Sequence, residues 1–191
     1  MLKLSITIPA PIERVVIAFT VTYRRLRYGF GYMRIKLTKG QYAIVDADDF
    51  LKLSKYKWHA KHKFGETFYA ERLIKTRRPL KSISMHREIM NPPKHLWIDH
   101  INRNGLDNRK ANLRFATPMQ NAWNRTKPNI GSSKYRGVGK AKGPNPWRAT
   151  IHHNGQKIHL GMFKNEIDAA KAYDTEAKKR RGEFAVLNFP D

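Results

Sequence analysis

The sequence predicts an α+β protein built as two small domains, and three observations carry that reading. Short strand-like runs alternate with short helical ones along most of the chain. A stretch of Gly, Ser, Lys and Asn without apolar periodicity interrupts it at residues 126–132. Beyond that interruption, three strand-like runs precede a single Ala-rich helix. A length of 191 residues suits one domain of ordinary size or two small ones, and the interruption favours two.

Residues 1–32 form a basic N-terminal extension. Pro9 and Pro11 open it, and a mixed apolar and basic run over about Ile12–Tyr28 predicts an amphipathic helix. Its apolar stretch, Val15 to Val21, is too short to span a bilayer. Arg24, Arg25 and Arg27 follow that stretch where a secretory signal would place its positive charge ahead.

Residues 33–125 read as the first domain. Gln41–Val45 predicts a strand, Asp46 an N-cap for a short helix through Leu53, and Lys57–Ala60 and Thr67–Ile74 two further strands. His86 and Arg87 are expected just before a short helix. Apolar Leu96–Ile98 leads into Asp99 and His100, and a polar turn with Gly105 follows. Thr117, Pro118 and Gln120 have the spacing of a capping box with proline in the first turn, so a helix starts there and carries Asn121.

Residues 133–191 predict three antiparallel strands and a helix. The strands are Tyr135–Val138, Trp147–His152 and Lys157–Phe163, with Asn154-Gly155 as a hairpin signal. Asn165 caps the helix, Ile167, Ala170, Tyr173 and Ala177 form its packed face, and Lys178 to Arg181 followed by Gly182 end it.

Charge narrows the function. There are 38 Lys and Arg against 15 Asp and Glu, a net charge of +23. This demands a polyanionic partner; nucleic acid comes first because each cation on a phosphate releases counterions, and an anionic membrane second. The absence of cysteine removes disulfides, thiol nucleophiles and Cys-containing zinc sites. His59, His62, His95, His152, His153 and His159 include no His-x₃-His pair on a helix, so solvated or DNA-facing roles are expected of them.

The chemistry-bearing constellation is a strand, Asp99-His100, a turn, an Asn-rich loop and a helix bearing Asn121. A strand-strand-helix unit of this kind can bring Asp99, His100 and Asn121 together, and hard oxygen donors favour Mg²⁺ or Mn²⁺. Alone, an Asp-His pair is an ordinary polar turn. Here Met85-His86-Arg87, Ile98-Asp99-His100-Ile101-Asn102, Asp107-Asn108-Arg109, Asn112-Leu113-Arg114 and Asn121 occur in a fixed order.

In that order they resemble the HNH nucleases, particularly the phage and intron homing-endonuclease branch, over roughly residues 33–125. The resemblance implies a ββα-metal fold and a metal-dependent, sequence-guided DNA endonuclease that nicks or cuts both strands. It implies His100 as general base, Asp99 and Asn121 as ligands of one divalent ion, and Asn112 as the residue that ties the loop, with Asn108 and His86 in support. Asn121 stands where many relatives have His. An imidazole with its ordinary pKa of roughly 6.5 is substantially neutral near pH 7 and can accept a water proton.

Ser133-Lys134-Tyr135-Arg136-Gly137-Val138, Trp147-Arg148-Ala149-Thr150-Ile151, Leu160-Gly161-Met162-Phe163, Ala169-Ala170-Lys171-Ala172-Tyr173-Asp174 and Leu187-Asn188-Phe189-Pro190 are similar to the APETALA2-type DNA-binding domain. That resemblance implies a sheet that enters the major groove, with Arg136, Arg148, Lys157 and His159 on or beside DNA. Arg87 and Arg109 are candidate DNA contacts in the first domain. Thr150, His152 and His159 depart from the plant pattern, so the plant target sequence does not transfer. The expected partner is double-stranded DNA, without membrane or small-molecule cofactor. The protein is expected inside a bacterial or phage-infected cell, as a monomer or a DNA-assembled dimer. The rival reading is a transcription regulator that grips DNA without cutting it.

Overall fold

In the computed structural model, residues 10–62, 67–74, 81–125 and 131–190 are described. The protein is mixed α and β with small sheets, and it divides into two compact units, Met1–Phe115 and Ala116–Asp191. The linker expected at 126–132 lies mostly outside the described residues. The boundary between the units falls ahead of it, before the helix that carries Asn121.

The first unit opens with helix α1, Ala10–Tyr28. Strands β1, Met33–Lys36, and β2, Tyr42–Val45, then pair antiparallel from Met33↔Val45 to Lys36↔Tyr42. The alternation of Met33, Ile35 and Leu37 with Arg34 and Lys36 drives β1, since period-two spacing puts all three apolar groups on one face. Helix α2, Ala47–Leu53, follows with Asp46 at its N-cap. The Asp46 side chain makes no capping bond there; its carboxylate accepts the Lys110 backbone N–H at 2.8 Å.

Strands β3 (His59–His62), β4 (Phe68–Ile74) and β5 (Lys81–Ser84) form an antiparallel sheet with β4 in the middle. Helix α3, Met85–Met90, runs on directly from β5 and contains His86 and Arg87, which the sequence had placed ahead of a helix. Arg72 on β4 holds α3 through a forked bond to Glu88 (2.7 and 3.2 Å), with its guanidinium 4.0 Å over the Tyr56 ring. The core gathers Ile17, Met33, Ile35, Val45, Leu53, Trp58, Met85 and Leu106. The Trp58 indole satisfies its N–H by donating to the Leu53 carbonyl at 2.8 Å. Strand β6, Trp97–His100, is the hydrogen-bonded neighbour of β7, Leu113–Ala116.

The second unit contains α4, Pro118–Trp123, whose Thr117–Gln120 capping box forms as the spacing predicts. Strands β8 (Val138–Lys140), β9 (Trp147–His153) and β10 (Gln156–Phe163) make an antiparallel sheet in the order β10-β9-β8. The β9–β10 turn uses Asn154 and Gly155, both at positive φ, as the hairpin signal requires. β8 starts at Val138, later than the Tyr135 expected. Gly137 sits at φ +77°, where a strand cannot continue, and a Cβ there would run into the Tyr173 ring.

Helix α5, Glu166–Arg181, covers the sheet. Ala169, Ala170, Tyr173 and Ala177 are buried, and Ile151, Ile158, Leu160 and Leu187 join Tyr173 and Ala177 in this unit's core. Ile167, expected on the packed face, is exposed instead. It lies roughly 80° round the helix from the centre of the face that the sheet covers.

Candidate active site

Asp99 and His100 are consecutive buried residues at the end of β6. Asp99 would be costly to bury as a bare carboxylate. Arg114, fifteen residues later on β7, answers it with Nε at 2.9 Å and Nη2 at 2.8 Å from the same carboxylate oxygen. In the sequence Arg114 stands out only as the end of Asn112-Leu113-Arg114, with nothing to pair it with Asp99.

His100 points its Nε2 at the Oδ1 of Asn108, 3.4 Å away, and Asn108 is fully buried. Because Oδ1 can only accept, this contact selects the tautomer with its proton on Nε2. Burial pushes the His100 imidazole below its ordinary pKa, opposed in smaller measure by the Asn108 contact and the carboxylates of Asp99 and Asp107. The ring is therefore neutral near pH 7, the form that can take up a proton. Two more rings surround it edge to face. His86 on α3 lies at 5.1 Å between centroids and 88°, and Tyr69 on β4 at 5.7 Å and 68°. Three elements thus converge on His100, and no spacing in the sequence announces Tyr69.

The loop between β6 and β7 is closed by its own polar side chains. Asn112 bridges it, accepting the Asn102 backbone N–H at 2.9 Å and donating to the Asp107 carbonyl at 2.8 Å. Asp107 is gripped by the Arg109 fork at 2.8 and 2.7 Å and by Asn102 Nδ2 at 2.9 Å. Burial raises the Asp107 pKa, but the bonds and charge of Arg109, with Asn102, outweigh it and hold the carboxyl below its usual range. Backbone bonds of 2.8 Å from Ile44 N to Leu106 O and from Asn108 N to Ile44 O stitch the loop to β2. Gly105 must be glycine: a Cβ would come within 2.5 Å of the Phe68 carbonyl and 2.7 Å of the Tyr69 ring.

Asp99, His100, Asn108, Asn112 and His86 are thus assembled within the first unit. Asn121 is not among them; it is half-buried on α4, in the second unit. There Trp123 stacks on His153 at 5.4 Å and 23°, and Arg181 lies 5.3 Å from the Trp123 centroid. Arg136, expected on DNA, directs its guanidinium to the carbonyls of Trp123 (3.3 Å) and Arg125 (2.7 Å) at the end of α4. Arg109, also expected on DNA, has its fork on Asp107 and lies 4.0 Å over the Phe30 ring.

Arg87 is half-buried on α3, whereas Arg148, Lys157 and His159 are exposed on the second sheet. Ala149 and Ile151 turn toward α5, so period two sends Arg148, Thr150 and His152 to the other face. Lys157 and His159 stand directly across from His152 and Thr150. The face of this sheet turned away from α5 is therefore basic.

The chain is 32% identical over 150 residues to an uncharacterized HNH endonuclease of Acanthamoeba polyphaga mimivirus, an alignment covering 78% of this chain and 76% of that protein. The chain belongs to the HNH endonuclease family. This HNH protein is also 33% identical over 93 residues, 49% of its length, to Protein 3.8 of Escherichia phage T7, of which 76% is covered. It shares 43% identity over 63 residues, 32% of its length, with the AP2/ERF and B3 domain-containing transcription factor RAV1 of Arabidopsis thaliana, but spans only 18% of that protein. No protein-family model matches the chain.

No helix among the described residues of the HNH protein is long and apolar enough to cross a membrane. Nor do three His, Asp or Glu come together there as a metal cage. The Asp99 carboxylate beside the His100 imidazole is a hard oxygen donor of the kind that could take a divalent ion such as Mg²⁺.

Proposed function

We propose that this HNH protein is a metal-dependent DNA endonuclease of the homing type, with a nuclease unit of ββα-metal layout and an APETALA2-like C-terminal module that grips flanking DNA. The observation that carries the reading is His100, held neutral by its burial and oriented by Asn108, beside the Asp99 carboxylate. Asp99 would hold Mg²⁺ or Mn²⁺, with water and phosphate oxygens filling the rest of the ion's shell. When bound, such an ion supplies charge stabilisation at the departing 3′ oxygen.

The chain's own residues supply the rest. His100, with its Nε2 proton directed at Asn108, takes the attacking water's proton at Nδ1. Arg114 fixes the position of the Asp99 carboxylate through Nε and Nη2. Asn112 and the Arg109–Asp107 fork keep the β6–β7 loop in one shape. Basic side chains of the second sheet, Arg148, Lys157 and His159, would meet phosphates and base edges. Tethering both functions in one chain raises the local concentration of the scissile bond at the nuclease unit. One HNH unit per chain implies nicking, unless two protomers act together.

The test is cleavage of supercoiled plasmid with Mg²⁺, with EDTA, and with His100→Ala, with DNA binding measured alongside. Cutting should stop with EDTA and fall by about 10²–10⁴-fold in the variant at unchanged DNA affinity. Tight binding by wild type without cutting, across several divalent metals, would replace this reading with that of a DNA-binding regulator.

A further inference from the structure

Helix α1 is apolar on two sides, and only one is used within its own unit. Ile17 is buried in the first core, with Val21 packed against it. On the other side Ile12, Val15, Val16, Phe19, Tyr23 and Leu26 follow one another at helical spacing, all at least half exposed, with Phe19 at 77% and Leu26 at 84%. At 3.6 residues per turn they form a stripe roughly 100° wide, roughly 170° round the helix from the buried edge. A contiguous row of large apolar groups is the signature of an interaction surface rather than of a solvated face.

The stripe is symmetric about its centre. Ile12 and Leu26 each lie seven residues from Phe19, and Val15 and Tyr23 each lie four from it. A second α1 laid antiparallel would therefore place Phe19 on Phe19, Ile12 on Leu26 and Val15 on Tyr23, the self-matching pattern of a two-fold interface. Charge agrees with that orientation. Glu13 and Arg27 flank the same edge of the stripe near opposite ends of the helix. The antiparallel arrangement sets each Glu13 beside the other copy's Arg27 at two equivalent places. In a parallel pair the same edge of each helix falls on opposite sides of the interface, so Glu13 would not meet Arg27.

We infer that α1 is a dimerisation helix, and that two copies of this chain associate through it, antiparallel, without DNA. The inference does not depend on whether the protein cuts DNA. If it does, the dimer carries two nuclease units before it meets its target.

The test uses the full chain in DNA-free buffer. Sedimentation should give twice the 22.3 kDa chain mass. Phe19→Glu should return it to monomer with an unchanged circular dichroism spectrum, since Phe19 faces away from the core. The absence of cysteine allows a second readout that does not rely on that variant. Phe19→Cys should oxidise to a linked dimer, and so should a mixture of Leu26→Cys with Ile12→Cys. Leu26→Cys alone should not, because antiparallel helices hold the two Leu26 positions about 21 Å apart along the axis. A monomer at every concentration overturns the inference, as does self-linking of Leu26→Cys, or a monomer whose α1 instead binds anionic phospholipid vesicles.

Discussion

Removing the Arg136 side chain should loosen helix α4. That helix has six residues, far short of the roughly 12–15 that begin to hold as an isolated helix, so its order comes from what it touches. In the second unit Arg136 donates to two carbonyls at its C-terminal end, at 3.3 and 2.7 Å. Hydrogen bonds to a charged group contribute about 1.5–3 kcal/mol each when buried. Here one bond is long and the other exposed, so about 2 kcal/mol for the pair is the reasonable figure. The Trp123–His153 stack would remain in Arg136→Ala, so α4 should open more often rather than detach. A change of about 2 kcal/mol is about 30-fold in the opening equilibrium. Native-state hydrogen exchange reads this directly at the amides of Asn121, Ala122 and Trp123. They should exchange about 30-fold faster in Arg136→Ala while those in the middle of α5 do not change, with Arg136→Lys between the two proteins. Unchanged exchange at these amides together with weakened DNA binding would refute the reasoning and return Arg136 to the role of a DNA contact.

Two further outcomes follow from the first unit. Gly105→Ala forces a methyl group against the Phe68 carbonyl and the Tyr69 ring, and should cost about 2 kcal/mol, seen as a melting temperature roughly 5–10 °C lower; an unaltered melt would mean that the loop yields freely. Asp107→Asn tests the depressed carboxyl. A carboxyl whose folded pKa lies below its unfolded value contributes stability that is complete above the unfolded value and is lost as the pH falls through the folded one. Wild type should therefore melt above Asp107→Asn at pH 7, with the gap narrowing as the pH drops through the carboxylate range. A gap that stays constant down to acid pH would show that the Arg109 fork contributes nothing through charge.

Elements whose cause lies within a few residues were legible from the sequence. The capping box of Thr117 and Gln120, the Asn154-Gly155 hairpin and the Gly182 helix stop each depend on neighbours one to four positions away, and all three formed. β5 was missed because Ile83 is its only apolar residue and leaves no alternation to read, β1 was missed although Met33 and Ile35 alternate there with Arg34 and Lys36, and β8 was extended into Gly137 because positive φ is not visible in composition. The buried Asp99-His100 pair was found from its order among the motif pieces.

By itself, then, the sequence determined the basic character of the protein, its α+β pattern and the adjacent acid and imidazole. Those follow from charge, period and local hydrogen bonding, which act along the chain. Only the tertiary structure decided that Arg114 neutralises Asp99, that Tyr69 and His86 wall His100, and that α4 with Asn121 belongs to the C-terminal unit through Trp123, Arg136 and Arg181. Each of those joins residues 13 to 58 positions apart in sequence. At such separations many pairings satisfy local preferences equally well, and the one adopted is set by which surfaces bury together with every polar group answered.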